Sequence, residues 1–164
     1  MPAWYDIEHM DIERTIDVSG IQESADRVDQ IITTQIAAGI PADRIVLVGF
    51  SQGGAVALYA GVRTAQPLAG ILALSTYWVG GQDPALKPGR NPADVSIEIH
   101  HGTADPVVPY ALGEQAFETL KALGYLVTFQ AFEMPHSVVP EQLRAIGDRI
   151  ARHFTCDSPT RSKE

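Results

Sequence analysis

The chain has 164 residues, 45% hydrophobic and 20% charged, enough for one domain with a buried core and unlike a disordered segment. Its 20 acidic and 12 basic side chains give a formal charge of −8, which would repel nucleic acid and anionic membrane surfaces, so neither is an expected partner. The single cysteine, Cys156, excludes an intramolecular disulfide and suits a reducing compartment.

In chain order, MPAWYDIEHMDIERT has neither the basic nor the apolar region of a signal peptide. No apolar run approaches the roughly 20 residues that span a bilayer, so a soluble cytoplasmic protein is expected. Ile21, Ala25, Val28, Ile31, Ile32 and Ile36 recur at helical spacing and predict a helix over 21–38, started by Ser19 or Gly20 and stopped by Gly39 and Pro41. The unbroken run over 45–49 predicts a strand buried on both faces. An Ala-rich helix over 53–62 follows, then a strand over 70–75 and a Gly/Pro-rich surface loop over 80–92. A third strand over 96–100, a helix over 110–123, a fourth strand over 126–132 and a last helix over 140–153 complete the domain. The domain is read as 1–154 with a polar tail over 155–164, where Cys156 has no metal-ligand partner at suitable spacing.

Alternating helix and strand periods predict an α/β fold: a mainly parallel sheet of about four strands, flanked by helices because parallel neighbours need crossover connections. Right-handed crossovers bring the strand-to-helix turns to one sheet edge, where chemistry is expected. Three polar residues fall just beyond three strand ends: Ser51, Asp105 and His136, in the chain order Ser, Asp, His.

Each has a plain structural reading. Ser51 could be a helix cap, Asp105 a turn-former ahead of Pro106, and His136 a loop histidine. Jointly they match a catalytic triad, with His136 as the base that activates the Ser51 hydroxyl and Asp105 as the acid that fixes the imidazole tautomer. Gly49 and Gly53 give the space that a sharp turn around Ser51 needs, and Gly54 relieves the first helical turn. The Gln52 amide, at the helix N-terminus, is placed to stabilise an oxyanion. Tyr77, Trp78 and Met134 are candidates to line an apolar acyl site, with ordinary core packing as the equal alternative. For Trp4 and Tyr5 packing is the better reading, and for His100 and His101 a non-catalytic one.

GFSQGG at 49–54, LSTYW at 74–78, HGTADPVVP at 101–109 and MPHSVVPEQL at 134–143 resemble the carboxylesterase/acyl-protein thioesterase family of α/β-hydrolases, and the similarity covers residues 2–154. The resemblance implies Ser51 as nucleophile, Asp105 as acid, His136 as base and Gln52 as one oxyanion donor. It also implies hydrolysis of carboxylic esters, and in some members of acyl thioesters, with no cofactor and no metal. The leading reading is a serine esterase of short to medium-chain carboxylic esters that works through an acyl-enzyme. Two departures stand out. Pro135 takes the place of a small residue, and the chain has no HGxG-type loop before the WYD segment to supply a second oxyanion donor, as though the N-terminal portion were lacking. Losing one such donor typically costs ~10²–10³ in kcat.

Without a preceding strand, the 45–50 run would present an unpaired apolar edge. That edge is expected to be covered in a homo-oligomer, most simply a homodimer, or by residues 1–19. The competing reading is a catalytically weak or inactive hydrolase-like fragment that serves as a binding module through this edge and its apolar cleft. A phosphate-cradling cofactor domain is disfavoured, since GFSQGG has neither GxGxxG spacing nor a P-loop lysine.

Overall fold

A computed structural model describes residues 17–155, with side chains to Arg152. Trp4, Tyr5, Cys156 and the expected cover from 1–16 lie outside the described residues. In chain order the described residues form α1 (Val18–Ala37), β1 (Val46–Phe50), α2 (Gln52–Arg63), β2 (Gly70–Leu74), β3 (Ser96–Gly102), α3 (Tyr110–Ala122), β4 (Leu126–Phe132) and α4 (Pro140–Thr155), with β2 passing to β3 through a loop that holds two short 3-10 turns and no α-helix. The stop of α1 follows the expected Gly39, which has a φ of +98°. Its start differs. Asp17 is the N-cap and accepts from the Gly20 amide at 3.0 Å, because a carboxylate one residue before the helix reaches an unpaired first-turn N–H.

The sheet is wholly parallel with strands in the order β1-β2-β3-β4. A strictly sequential order with crossovers of one hand puts the connecting helices on a single face. Accordingly Ala57, Leu58 and Val62 of α2 and Ala116 and Leu120 of α3 pack together with Ile71, Ala73, Ile97 and Ile99 of the sheet. Each large side chain buried there is worth about 1.5–3 kcal/mol. Helix α1 packs on α2, where Ile21 and Ala25 join Ala55, Val56, Tyr59 and Tyr77 in a second cluster. Helix α4 docks on the opposite face through Arg149, which donates to Ser96 Oγ and pairs with Glu98 Oε2 at 3.1 Å. Glu98 also accepts from Gln130 at 3.1 Å and lies 2.7 Å from His100 Nε2.

The expectation that β1 is buried on both faces is corrected. Among the described residues β1 pairs only with β2, from Val46 against Gly70 to Phe50 against Leu74. It is the sheet edge, and Val48 is 48% exposed. The strand buried throughout is β2, because it has a neighbour on each side.

Candidate active site

Strand β1 ends at Phe50 and α2 begins at Gln52, so Ser51 alone reverses the chain. It does so at φ 54° and ψ −123°, a backbone conformation that costs a non-glycine residue on the order of 1–3 kcal/mol. The surroundings hold it there. The Ser51 amide donates to Leu74 O at 2.8 Å, and Ser51 O accepts from the amides of Gly54 at 3.0 Å and Ala55 at 3.3 Å. A side chain at 49 would collide with this turn, since a Cβ there would stand 2.2 Å from Gly53 O. Although Ser51 sits at the N-cap position of α2, its side chain makes no capping hydrogen bond. The hydroxyl is therefore not occupied as a helix cap.

Asp105 leaves β3 in a tight turn. Its Oδ1 accepts from the amides of Val107 and Val108, each at 2.9 Å, and its Oδ2 accepts from His136 Nδ1 at 2.7 Å. The turn-forming reading of Asp105 thus describes one oxygen and leaves the other for the histidine. Burial by itself would raise the Asp105 carboxyl, but the His136 hydrogen bond and the two amides outweigh it, and the net shift is downward. An ionised Asp105 keeps the proton of His136 on Nδ1, which leaves the Nε2 lone pair as the available base. The His136 ring lies 4.7 Å, centroid to centroid, from that of Phe50, the residue before Ser51. The ends of β1, β3 and β4 therefore meet at one edge, as their parallel order requires.

His101 is wholly buried, donates from Nε2 to Val108 O at 2.9 Å, and so braces the loop that carries Asp105. Its burial lowers its pKa. His100 belongs to the Glu98 group under α4. Neither has the geometry of a second base at the turn.

Tyr77, Trp78 and Met134, the candidates for an acyl site with core packing as the equal alternative, take these places. Tyr77 is 4% exposed in the core with Ile21, Tyr59 and Leu112, and Met134 is 2% exposed beneath its loop. Trp78 packs on Gly80 and lines a groove of about 330 Å³ with Val62, Leu123 and Tyr125, at the C-terminal ends of α2 and α3 and so remote from Ser51. Position in the chain put these residues just after strand ends, but backbone position does not set side-chain direction. Conversely, sequence reasoning gave no role to Phe50 or Thr76. Thr76 donates from Oγ1 to Ser51 O at 2.6 Å, and the available signal was a hydroxyl residue two places beyond the end of the strand next to β1.

Among the described residues no His, Cys, Asp and Glu side chains converge into a metal-ligating group, and no helix is long and apolar enough to cross a membrane.

A profile of the phospholipase/carboxylesterase family matches residues 1–154. Acyl-protein thioesterase 1 of Neurospora crassa is 43% identical over 163 residues, covering 94% of this chain and 66% of the relative. Acyl-protein thioesterase 1 of Gibberella zeae is 39% identical over 151 residues, covering 87% and 64% respectively. The chain thus spans slightly less than two thirds of these relatives. Among solved structures, Arabidopsis thaliana SOBER1 superposes with a TM-score of 0.84 at 27% identity, covering 94% of this chain and 75% of that one. Zea mays acyl-protein thioesterase 2 superposes with a TM-score of 0.78 at 25% identity, covering 93% and 72%.

Proposed function

The chain belongs to the phospholipase/carboxylesterase family, and from that premise we propose that it is a cytoplasmic serine hydrolase of short to medium-chain carboxylic esters and acyl thioesters. The observation that carries the reading is the 2.7 Å bond between His136 and Asp105 at the sheet edge where Ser51 makes its strained turn. The thioesterase names of its relatives support the inclusion of thioesters.

In the proposed reaction His136 Nε2 takes the Ser51 proton as Oγ attacks the acyl carbonyl. The Gln52 amide, first in α2, donates to the oxyanion as the tetrahedral intermediate forms. Collapse expels the alcohol or thiol, which receives the proton from His136. Water, deprotonated by His136, then attacks the acyl-enzyme and releases the acid. Asp105 holds the Nδ1 proton throughout and stabilises the imidazolium.

The test is release of p-nitrophenol from p-nitrophenyl butyrate by the chain beside its Ser51→Ala variant. Turnover that disappears in the variant is the expected result. Equal background from both proteins would overturn the reading in favour of a hydrolase-like binding module.

A second reading concerns assembly. Among the described residues the second edge of β1 has no strand partner, and it borders an open groove of about 280 Å³ lined by Val28, Leu47, Val48, Phe50 and Val56. Proteins normally cover or blunt such an edge. A homo-oligomer through 45–50, most simply a homodimer, would cover it with a strand that carries no charge.

A further inference from the structure

Thr76 is completely buried and touches the Ser51 turn at two points. Its hydroxyl donates to Ser51 O at 2.6 Å. Its Cβ and Cγ2 fill the space beside Gly54, where an added Cβ would stand 2.8 and 2.9 Å from them. The Ser51 carbonyl already accepts from the first-turn amides of Gly54 and Ala55, so the Thr76 hydroxyl does not rescue an orphaned acceptor. It supplies a tether from the exit of β2 to the exit of β1.

The backbone aims Thr76 there by a device that repeats the one at Ser51. Ser75 is the other non-glycine residue with positive φ among the described residues, at 47°. Its amide donates to His100 O at 2.7 Å, as the Ser51 amide donates to Leu74 O at 2.8 Å. Each strand exit hangs on the neighbouring strand by one extra ladder bond, and the turn at Ser75 delivers the next side chain beneath the first.

The geometry points to Thr76 as a positioning residue that aims the Ser51 hydroxyl, an inference that rests on the reading of Ser51 as nucleophile. The two peptide planes flanking the Ser51 Cα are both held, one by Leu74 O and the other by Thr76 Oγ1. Once those planes are set, tetrahedral carbon leaves the Cα–Cβ bond one direction. Without the hydroxyl the carbonyl keeps its helical partners but loses its one tether from β2, so it can tilt with the start of α2, and Oγ moves with it.

The experiment compares Thr76→Val, which keeps the shape, with Thr76→Ser, which keeps the hydroxyl. The readouts are kcat and KM for p-nitrophenyl butyrate and the rate at which a fluorophosphonate probe labels Ser51, where an Oγ–P bond forms and fluoride leaves. Thr76→Val is expected to lower kcat and labelling by the same factor, about 10- to 100-fold, with KM within about twofold, since a misaimed nucleophile loses orientation and not binding. Thr76→Ser is expected to stay within about threefold of wild type. Should the valine fail to pack, Thr76→Ala against Thr76→Ser isolates the same hydroxyl. A folded Thr76→Val or Thr76→Ala that labels as fast as its hydroxyl-bearing counterpart overturns the inference while leaving the nucleophile reading intact. A wild-type chain that labels no faster than Ser51→Ala overturns both.

Discussion

Asp105 gives His136 one carboxylate oxygen and keeps the other for its own turn, with the His136 bond at 2.7 Å and the Val107 and Val108 amides at 2.9 Å. Asp105→Asn separates these roles. An asparagine oxygen can still accept the two amides, while its NH2 faces His136 Nδ1 and favours the tautomer with the proton on Nε2. That tautomer has no lone pair for the Ser51 proton. We expect kcat for p-nitrophenyl butyrate to fall about 10³–10⁴-fold with the fold retained, read by steady-state kinetics beside a far-ultraviolet dichroism spectrum.

Gly49→Ala tests the turn. The added methyl carbon would stand 2.2 Å from Gly53 O and 2.6 Å from Gly54 N, both backbone atoms that move only with the start of α2. A loss of about 1–3 kcal/mol of stability is expected, from the overpacking. The urea midpoint checks it, with an unchanged m-value showing that the same unfolding is being compared.

Stability should fall in two stages as the solution is acidified. His101 has its pKa lowered by burial from 6.5, so the unfolded chain binds a proton there that the folded chain resists, and stability begins to drop as pH falls below about 6.5. The Glu98 carboxyl is held down chiefly by the His100 hydrogen bond. The Asp105 carboxyl, which burial alone would raise, is held down by the bonds from His136 and the turn amides. Their contribution is complete above the ordinary values of 4.5 and 3.8 and is lost as pH falls through the folded pKa values. Thermal midpoints between pH 8 and 3 should show both limbs, and the first should be absent in His101→Gln, which can still donate to Val108 O. A His101→Gln profile that superposes on wild type would refute the assignment of that limb.

Val48→Lys addresses the edge. Val48 is 48% exposed on β1, and a lysine there is a usual way of blocking strand addition. If a second copy covers β1, sedimentation at micromolar concentration should give a dimer for wild type and a monomer for the variant. A wild-type monomer whose β1 amides exchange freely would exclude the assembly.

The sequence by itself determined the order of elements, the parallel character of the sheet and the three polar residues at strand ends, because these follow from local rules. Hydrophobic period marks a helix or strand, crossovers of one hand bring strand exits together, and Gly49 marks where the chain must turn around Ser51. What only the tertiary structure decided depends on neighbours far away in the chain. VLVGF of β1 and GILAL of β2 are both apolar runs; the unpaired edge of the first is already expected from the resemblance, but how far its faces are exposed while β2 is buried throughout is set by pairing and by the helices packed on the sheet. Tyr77, Trp78 and Met134 follow strand ends, where a substrate-lining role and a packing role are equally open, and contacts with distant residues bury Tyr77 and Met134 and set Trp78 at the far ends of α2 and α3. Thr76 shows the converse: it lies 25 residues from Ser51 in the chain, and only the pairing of β1 with β2, followed by the positive φ of Ser75, sets its hydroxyl against the Ser51 carbonyl.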